Sequence, residues 1–236
     1  MIEKTVFITG ADKGLGFSLA QKFAHEGFHV FAGQYGAETN LQTLAERFPQ
    51  TLTLVPLDVT SMDSVRRAAE TVSKLVPALD ILINVAGVHV EDTTVPVEQL
   101  NMTDGHLEHE MDVNAYGPLR VTQQFLPLLR KGEAKLLINV SSEAGSIADC
   151  PRDRWFSYCM SKAALNMQSK ILENYLTPDG FKVLVLHPGW MRTDMGGPEA
   201  DIHPDTSAEG IFGLTVKDWQ PGDGMFMDYD GSPRRW

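Results

Sequence analysis

The sequence predicts an α/β fold: a doubly wound parallel sheet of about seven strands with helices on both faces. Short apolar runs alternate with longer amphipathic runs along the chain, which is typical of βαβ units. Most of the short runs are apolar at successive positions, as in strands that are buried on both faces. No internal repeat, low-complexity tract or Gly/Ser linker interrupts the series, so we expect one domain over residues 1–236.

Composition excludes several function classes. The chain carries a formal net charge of −11, so its field repels nucleic acid and anionic membrane surfaces. No apolar run approaches the roughly 20 residues of a transmembrane helix, and we expect a cytoplasmic protein without a signal peptide. Two cysteines, Cys150 and Cys159, are too few for a disulfide framework or a zinc site. His106 and His109 lie among acidic residues and indicate a solvated helix surface, so we expect no metal.

The first element is a strand over residues 4–9, and a glycine-rich turn separates it from a helical pattern. Glycines allow a ligand close to the backbone, and the amides that open a helix carry partial positive charge, so a pyrophosphate would suit this turn. A turn selected only for tight packing is the alternative. The position between a first strand and a helix favours a dinucleotide site. The candidate cofactor-binding residues here are Gly10, Asp12, Lys13, Gly14, Leu15 and Gly16.

The second strand, residues 28–32, ends before Gln34 and Tyr35, where such a fold selects its ribose. Neither an acidic residue for a 2′-hydroxyl nor a cation for a 2′-phosphate stands there, and Glu38 comes late for the first role. Lys13, in the glycine turn, could reach a 2′-phosphate. We therefore expect NADP(H) to be preferred over NAD(H).

A third strand, residues 51–57, precedes Asp58 and Val59, and helices are expected at 41–48 and 65–76. The carboxylate of Asp58 could accept a bond from an adenine amino group. It could equally form a turn or cap the next helix, and the two roles are compatible.

The fourth strand, residues 79–85, is apolar throughout and leads into the stretch Asn84-Val85-Ala86-Gly87. Small residues here would let a cofactor lie against the strand end, so Asn84, Ala86 and Gly87 are candidate contacts. Right-handed crossovers bring the carboxyl ends of parallel strands to one edge of the sheet. Gly10, Asp58 and Gly87 are therefore expected to face one crevice.

A fifth strand, residues 136–140, ends at Ser142, and a helix follows with Tyr158 and Lys162 four residues apart. This spacing places the two side chains on one helix face, where a cation would favour the phenolate and make the tyrosine a better acid/base group. A half-buried ring beside a solvated lysine is the common alternative. Asn114, an amide in the middle of a helical run, often makes a specific hydrogen bond in such a position.

The strand at residues 182–186 ends in His187, which we expect to be packed and hydrogen-bonded rather than catalytic. Pro188 and Gly189 then turn the chain over the crevice. Thr193 could bond a nicotinamide carboxamide, and Met191 would contribute to an apolar wall. A substrate loop is expected around residues 189–210, as a mobile lid from 196 to 209, with a last strand at 224–227.

Together these motifs resemble the short-chain dehydrogenase/reductase family over essentially the whole chain. The ending of the chain and the stretch from His187 to Gly197 are similar to the branch of sniffer-type carbonyl reductases and C-factor proteins. The matching positions, in family order, are Thr9-Gly10-(three residues)-Gly14-Leu15-Gly16, Asp58-Val59, Asn84-Val85-Ala86-Gly87, Asn114, Ser142, Tyr158, Lys162 and Pro188-Gly189.

The resemblance implies a Rossmann-type fold, a carbonyl reductase activity with NADP(H) and a ketone, aldehyde or secondary alcohol, and a homodimer or homotetramer. It implies that Tyr158 exchanges the proton and Ser142 holds the substrate oxygen. Lys162 would lower the pKa of Tyr158 and bind the nicotinamide ribose, and Asn114 would place a water molecule that feeds protons to the lysine.

Three departures from the family pattern stand out. Val85 replaces a frequent asparagine, the segment from Ser142 to Tyr158 is long, and the arginine that often follows the second strand in NADP-using members is absent. A signalling protein that binds a dinucleotide with little turnover is the main alternative function. A sugar-nucleotide epimerase or dehydratase is disfavoured, because the C-terminal part is short.

Overall fold

The computed structural model describes residues 4–36, 39–90, 92–219 and 223–236, with Thr39 described by its backbone alone. Glu38 therefore lies outside the described residues. Within them, a sheet of seven parallel strands runs in the order β3-β2-β1-β4-β5-β6-β7, and the predicted fold class is confirmed. The strands are β1 Thr5–Ile8, β2 His29–Gln34, β3 Leu52–Pro56, β4 Ile81–Asn84, β5 Leu136–Val140, β6 Lys182–His187 and β7 Phe226–Asp228.

Helices cover both faces of the sheet. A π-helical turn, Asp112–Tyr116, separates the fourth helix from the fifth. Across the described ranges, no helix combines the length and the apolar character that crossing a membrane requires. The helices are α1 Gly14–His25, α2 Thr39–Arg47, α3 Met62–Leu75, α4 His106–Met111, α5 Gly117–Leu129, α6 Phe156–Leu176 and α7 Pro204–Thr215.

The strands are buried on both faces, as their continuous apolar character predicts. Every residue of β5 is buried, and its side chains alternate between two apolar clusters. One cluster includes Phe23 of α1, and the other includes Phe125 of α5. Burial of this apolar surface holds the helices to the sheet and fixes the strand ends that carry the site.

Two boundaries differ from the sequence-based expectation by three residues or more. The third helix begins at Met62, because Ser61 caps it by accepting a bond of 3.3 Å from the amide of Ser64. The irregular segment after β6 ends at His203, since α7 begins at Pro204, so residues 204–209 are helical rather than part of a lid.

The segment after β6 is organised by main-chain hydrogen bonds. The amide of Arg192 donates to the carbonyl of Ile202 at 2.9 Å, and the amide of Ile202 donates to that of Trp190 at 3.1 Å. These bonds close the segment into a compact loop beside the carboxyl ends of the strands.

Candidate active site

A cavity of about 740 Å³ opens at the carboxyl edge of the sheet. Its size lies within the range of small-molecule and cofactor sites. The predicted residues that line it are Gly10, Asp12, Lys13, Gly14, Leu15, Gly16, Asp58, Val59, Ala86, Gly87, Tyr158, Lys162, Pro188, Met191 and Thr193. The strand ends therefore bring together side chains that are far apart in the sequence, as the parallel topology predicts.

The glycine turn is a tight cradle between β1 and α1. A Cβ atom on Gly16 would lie 2.0 Å from the carbonyl oxygen of Gly10, so no larger residue fits there. Gly10 has a φ of +64°, and a Cβ atom on it would lie 2.9 Å from the Cα atom of Ala86. The turn therefore requires glycine both for its conformation and for its close approach to neighbouring backbone.

A carboxylate from the glycine turn lies at the end of β2. Asp12 accepts hydrogen bonds from the amide of Tyr35 at 3.0 Å and from that of Gly36 at 3.2 Å. Asp12 was predicted as a cofactor contact of the glycine turn, but its place at the ribose-selecting position was not foreseen. Lys13 lies beside it and forms an ion pair of 2.6 Å with Asp194 of the loop after β6, with both side chains largely exposed. This pair joins the two sides of the cavity mouth.

Asp58 forms the turn that was one of its two predicted roles. Its carboxylate accepts bonds from the amide of Thr60 at 2.9 Å and from the hydroxyl of Thr60 at 2.6 Å. It also lines the cavity, so the two roles are compatible in the structure as well.

Tyr158 lines the cavity and is hydrogen-bonded to Ser142, which does not itself line it. Burial raises the pKa of Tyr158 to about 12, while a hydrogen bond with Ser142 acts in the opposite direction. The ring of His89 stacks on the ring of Tyr158 at 4.5 Å, and the ring of Trp155 lies 5.1 Å from that of His89. The phenol is therefore held in a defined orientation and stays protonated at neutral pH.

Lys162 is buried one helical turn beyond Tyr158. Its ammonium lies 5.7 Å from the centre of the Tyr158 ring and donates to the carbonyl of Val140 at 3.1 Å. Burial lowers the pKa of Lys162 to about 8, although the charge of Glu110 opposes this shift. For Tyr158, burial of the phenol outweighs the hydrogen bond with Ser142, so its pKa is raised overall.

Asn114 lies in the π-helical turn and is fully buried. Its side-chain oxygen accepts from the amide of Val88 at 2.8 Å, and its side-chain nitrogen donates to the carbonyl of Val88 at 2.8 Å. The same nitrogen donates to the hydroxyl of Ser161 at 3.0 Å. The amide thus fixes the backbone beside Gly87 and joins it to α6, which is the specific bonding that its position in a helix predicts.

Two candidate cofactor contacts do not line the cavity. Asn84 is buried between strands, where its side-chain nitrogen donates to Asn139 at 2.8 Å, so its side chain joins β4 to β5. Gly189 is packed against Ile202, since a Cβ atom on it would lie 2.6 Å from the end of that side chain. Its φ of +82° indicates a turning role.

The interpretation of residues 106–112 as a solvated surface is wrong for Glu110. This side chain is fully buried, and its carboxylate accepts from the amide of Val90 at 2.5 Å. The charged residues around it in the sequence conceal its burial, and no local pattern could have revealed it.

The described residues fit a dinucleotide. A Cβ atom on Gly10 or Gly16 would clash with neighbouring backbone, so the turn stays open only with glycine. The side chain of Lys13 makes no capping hydrogen bond to the first turn of α1. The amides that open α1 therefore face the cavity as a suitable site for a pyrophosphate.

Comparison with known proteins agrees with this geometry. The family model described as short chain dehydrogenase matches residues 4–202. The C-signal protein of Myxococcus xanthus is 37% identical over 67% of this chain and 93% of its own length. The NADPH-bound carbonyl reductase from chicken fatty liver is 31% identical, with a TM-score of 0.89 over 99% of this chain and 94% of its own. The carbonyl reductase Sniffer of D. melanogaster is 27% identical, with a TM-score of 0.90 over 99% of this chain and 100% of its own.

Proposed function

Because the chain belongs to the short-chain dehydrogenase family, we propose that it is a carbonyl reductase that transfers a hydride between NADP(H) and a ketone, an aldehyde or a secondary alcohol. One observation carries the proposal: Tyr158, hydrogen-bonded to Ser142, lines the same cavity as the glycine cradle. The whole chain, residues 1–236, would act as one domain with its substrate loop after β6.

The dinucleotide, when bound, would supply or accept the hydride. Tyr158 would donate its proton to the carbonyl oxygen, and its high pKa keeps that proton in place at neutral pH. Ser142 would donate a hydrogen bond to the same oxygen, so the negative charge that develops there is stabilised. Lys162, charged below about pH 8, would add positive charge beside the phenol and bind the ribose. Asn114 would hold the 87–88 backbone and place a water molecule for proton supply.

Replacement of Tyr158 by phenylalanine tests the assignment. Tyr158→Phe keeps the ring that packs on His89 and removes only the proton donor, so turnover should fall by about 10²–10⁴ while the cofactor dissociation constant hardly changes. NADPH absorbance with a panel of ketones and aldehydes measures turnover. Tyr175→Phe is the matched control, since Tyr175 lies exposed on the same helix. Full activity of Tyr158→Phe would exclude the proposed mechanism.

The preference for NADP(H) rests on Lys13 and on the chicken carbonyl reductase, which was solved with NADPH bound. Lys13 lies at the cavity mouth next to Asp12, where a 2′-phosphate would arrive. Lys13→Glu should therefore raise the dissociation constant of NADPH much more than that of NADH. Lys131→Glu, which changes an exposed lysine in the turn after α5, is the control. Equal weakening of both cofactors would remove the basis for the preference.

We propose in addition a cytoplasmic homo-oligomer, a dimer or a tetramer. The supporting observation is an apolar face on α5 and α6, where large side chains including Leu119, Met167 and Ile171 are exposed. A shallow cavity of about 440 Å³ lies between these two helices. Light scattering of the purified protein measures its mass, and Ile171→Glu should produce a monomer if this face is the interface.

A dinucleotide-binding signalling protein is the second candidate, favoured by the 37% identity to the C-signal protein. Binding of NADPH without oxidation across a broad carbonyl panel would support it, together with a signalling phenotype that Tyr158→Phe leaves unchanged. Turnover that requires Tyr158 would support the reductase.

A further inference from the structure

The last residues of the described chain fold back along β7. We call residues 232–236 the return segment. Gly231, with a φ of +90°, allows the turn, after which the amide of Asp228 donates to the carbonyl of Ser232 at 2.8 Å. The amide of Arg234 donates to the carbonyl of Phe226 at 2.9 Å. The return segment is thereby fixed to the edge of the sheet.

The return segment contacts the loop that joins β5 to α6, residues 143–155, which we call the 143–155 loop. The amide of Ala148 donates to the carbonyl of Trp236 at 2.8 Å, and Arg235 forms an ion pair with Asp149. The ring of Trp236 stacks on the buried ring of Phe226, with 5.1 Å between centres and 26° between planes. This stacking holds the carbonyl of Trp236 in place for its bond to the loop.

The 143–155 loop has a second set of contacts, at its two ends. The amide of Glu143, at the start of the loop, donates to Nδ1 of His187 at 3.1 Å, and the carboxylate of Glu143 binds Arg152 near the end of the loop at 2.9 Å. Arg152 lies 4.7 Å from the ring centre of Trp155, which packs towards Tyr158 through His89. These contacts tie the base of the loop to β6 and, through Trp155 and His89, to Tyr158.

The middle of the loop has little support of its own. Residues 147–151 are all exposed, and the side chain of Ile147 is 83% exposed. A segment that buries so few apolar atoms opens at low free energy unless other contacts hold it. One contact is internal: the amide of Asp149 donates to the hydroxyl of Ser146 at 3.1 Å. The other contacts of this stretch among the described residues come from the return segment.

We propose that the return segment positions the 143–155 loop and so shapes the substrate pocket between Ser142 and Tyr158, with Trp236 and Arg235 as positioning residues. The expected effect of the return segment on substrate binding rests on the proposed carbonyl reduction. Its expected effect on the 143–155 loop rests on the contacts alone. It assigns a role to residues that lie far along the chain from the tyrosine and that do not line the cavity.

Trp236→Ala tests the inference by amide hydrogen exchange and by kinetics. Exchange of the amides of residues 146–150 should become at least about tenfold faster, because the ring that anchors the carbonyl is lost. The KM of a carbonyl substrate should rise about tenfold with a smaller change in kcat, and the dissociation constant of NADPH should stay the same. Trp236→Phe keeps a ring on Phe226 and should restore both values. Arg66→Ala, which removes an exposed ion pair on α3, is the control.

A double-mutant cycle separates positioning from general loss of stability. Arg235→Ala and Asp149→Ala should have similar effects on KM, and the double variant should be no worse than either, since both remove one contact. Unchanged exchange in Trp236→Ala would overturn the inference, and so would faster exchange with unchanged KM. A wild-type protein that reduces no carbonyl would instead contradict the proposed function, and the exchange measurement would still decide whether the segment holds the loop.

Discussion

Asn114→Ala is the substitution whose cost the structure specifies most closely. The variant loses both side-chain bonds to the backbone of Val88 and leaves that amide and that carbonyl without their partners. An unsatisfied buried polar group costs about 1–3 kcal/mol. Since Val88 borders the cavity, water can replace part of the loss, and we expect the free energy of unfolding to fall by about 2–4 kcal/mol.

Urea unfolding followed by circular dichroism measures this value. Ser161→Ala removes only one of the three bonds of Asn114, so its cost should be about 1 kcal/mol. Asn101→Ala, which removes an exposed turn-forming amide, is the control. If Asn114→Ala lowered the free energy of unfolding by no more than Ser161→Ala does, the role of Asn114 in holding the backbone of Val88 would be refuted.

Three further outcomes follow from charges in and near the site. The rate of carbonyl reduction should be constant at neutral pH and fall as the pH rises through about 8, because Lys162 then loses its charge. The rate of alcohol oxidation should rise with pH until the loss of that charge opposes the rise. Rates measured against pH in both directions test this. Asp12→Asn should improve kcat/KM with NADPH relative to NADH, because it removes a negative charge from the ribose end of the cavity while an oxygen remains for Tyr35. Burial lowers the pKa of His187 from 6.5 to about 4, so the unfolded chain binds a proton more readily than the folded one. The free energy of unfolding should therefore fall by at most about 3 kcal/mol as the pH falls from 6.5 to 4. Urea unfolding across this pH range measures the fall, and His187→Gln should make it smaller.

The strand order and the helices on both faces follow from patterns that a single chain displays. A run such as Leu136–Val140 is apolar at nearly every position because both of its faces are covered, and the structure buries all of it. The π-helical turn at Asp112–Tyr116 could not be foreseen, since one extra residue per turn leaves no distinct pattern in the sequence. It nevertheless carries Asn114, one of the four residues of the proposed catalytic group.

Site residues could be predicted where a glycine turn or a helical spacing identifies them. They could not be predicted where burial or contacts distant in the sequence determine the position of the side chain. The cradle at Gly10 and Gly16 and the pair at Tyr158 and Lys162 were found in this way. The orientation of the Asn84 side chain could not be predicted, because a strand-end amide can point into a cavity or between strands and only the pairing with β5 decides which. Asp12 was predicted to bind the cofactor, but its position at the end of β2 was not foreseen, because the amides that it binds follow a different strand.

The pKa values of Tyr158 and Lys162 illustrate how burial can reverse a prediction made from spacing. Four residues on a helix bring a cation near a phenol, which favours the phenolate. The same helix face is buried, and burial disfavours both charged forms, so the pKa of the phenol rises to about 12 and that of the ammonium falls to about 8. At neutral pH the phenol keeps its proton and the lysine keeps its charge. This is the protonation state that the proposed reduction requires, in which the tyrosine donates its proton to the carbonyl oxygen.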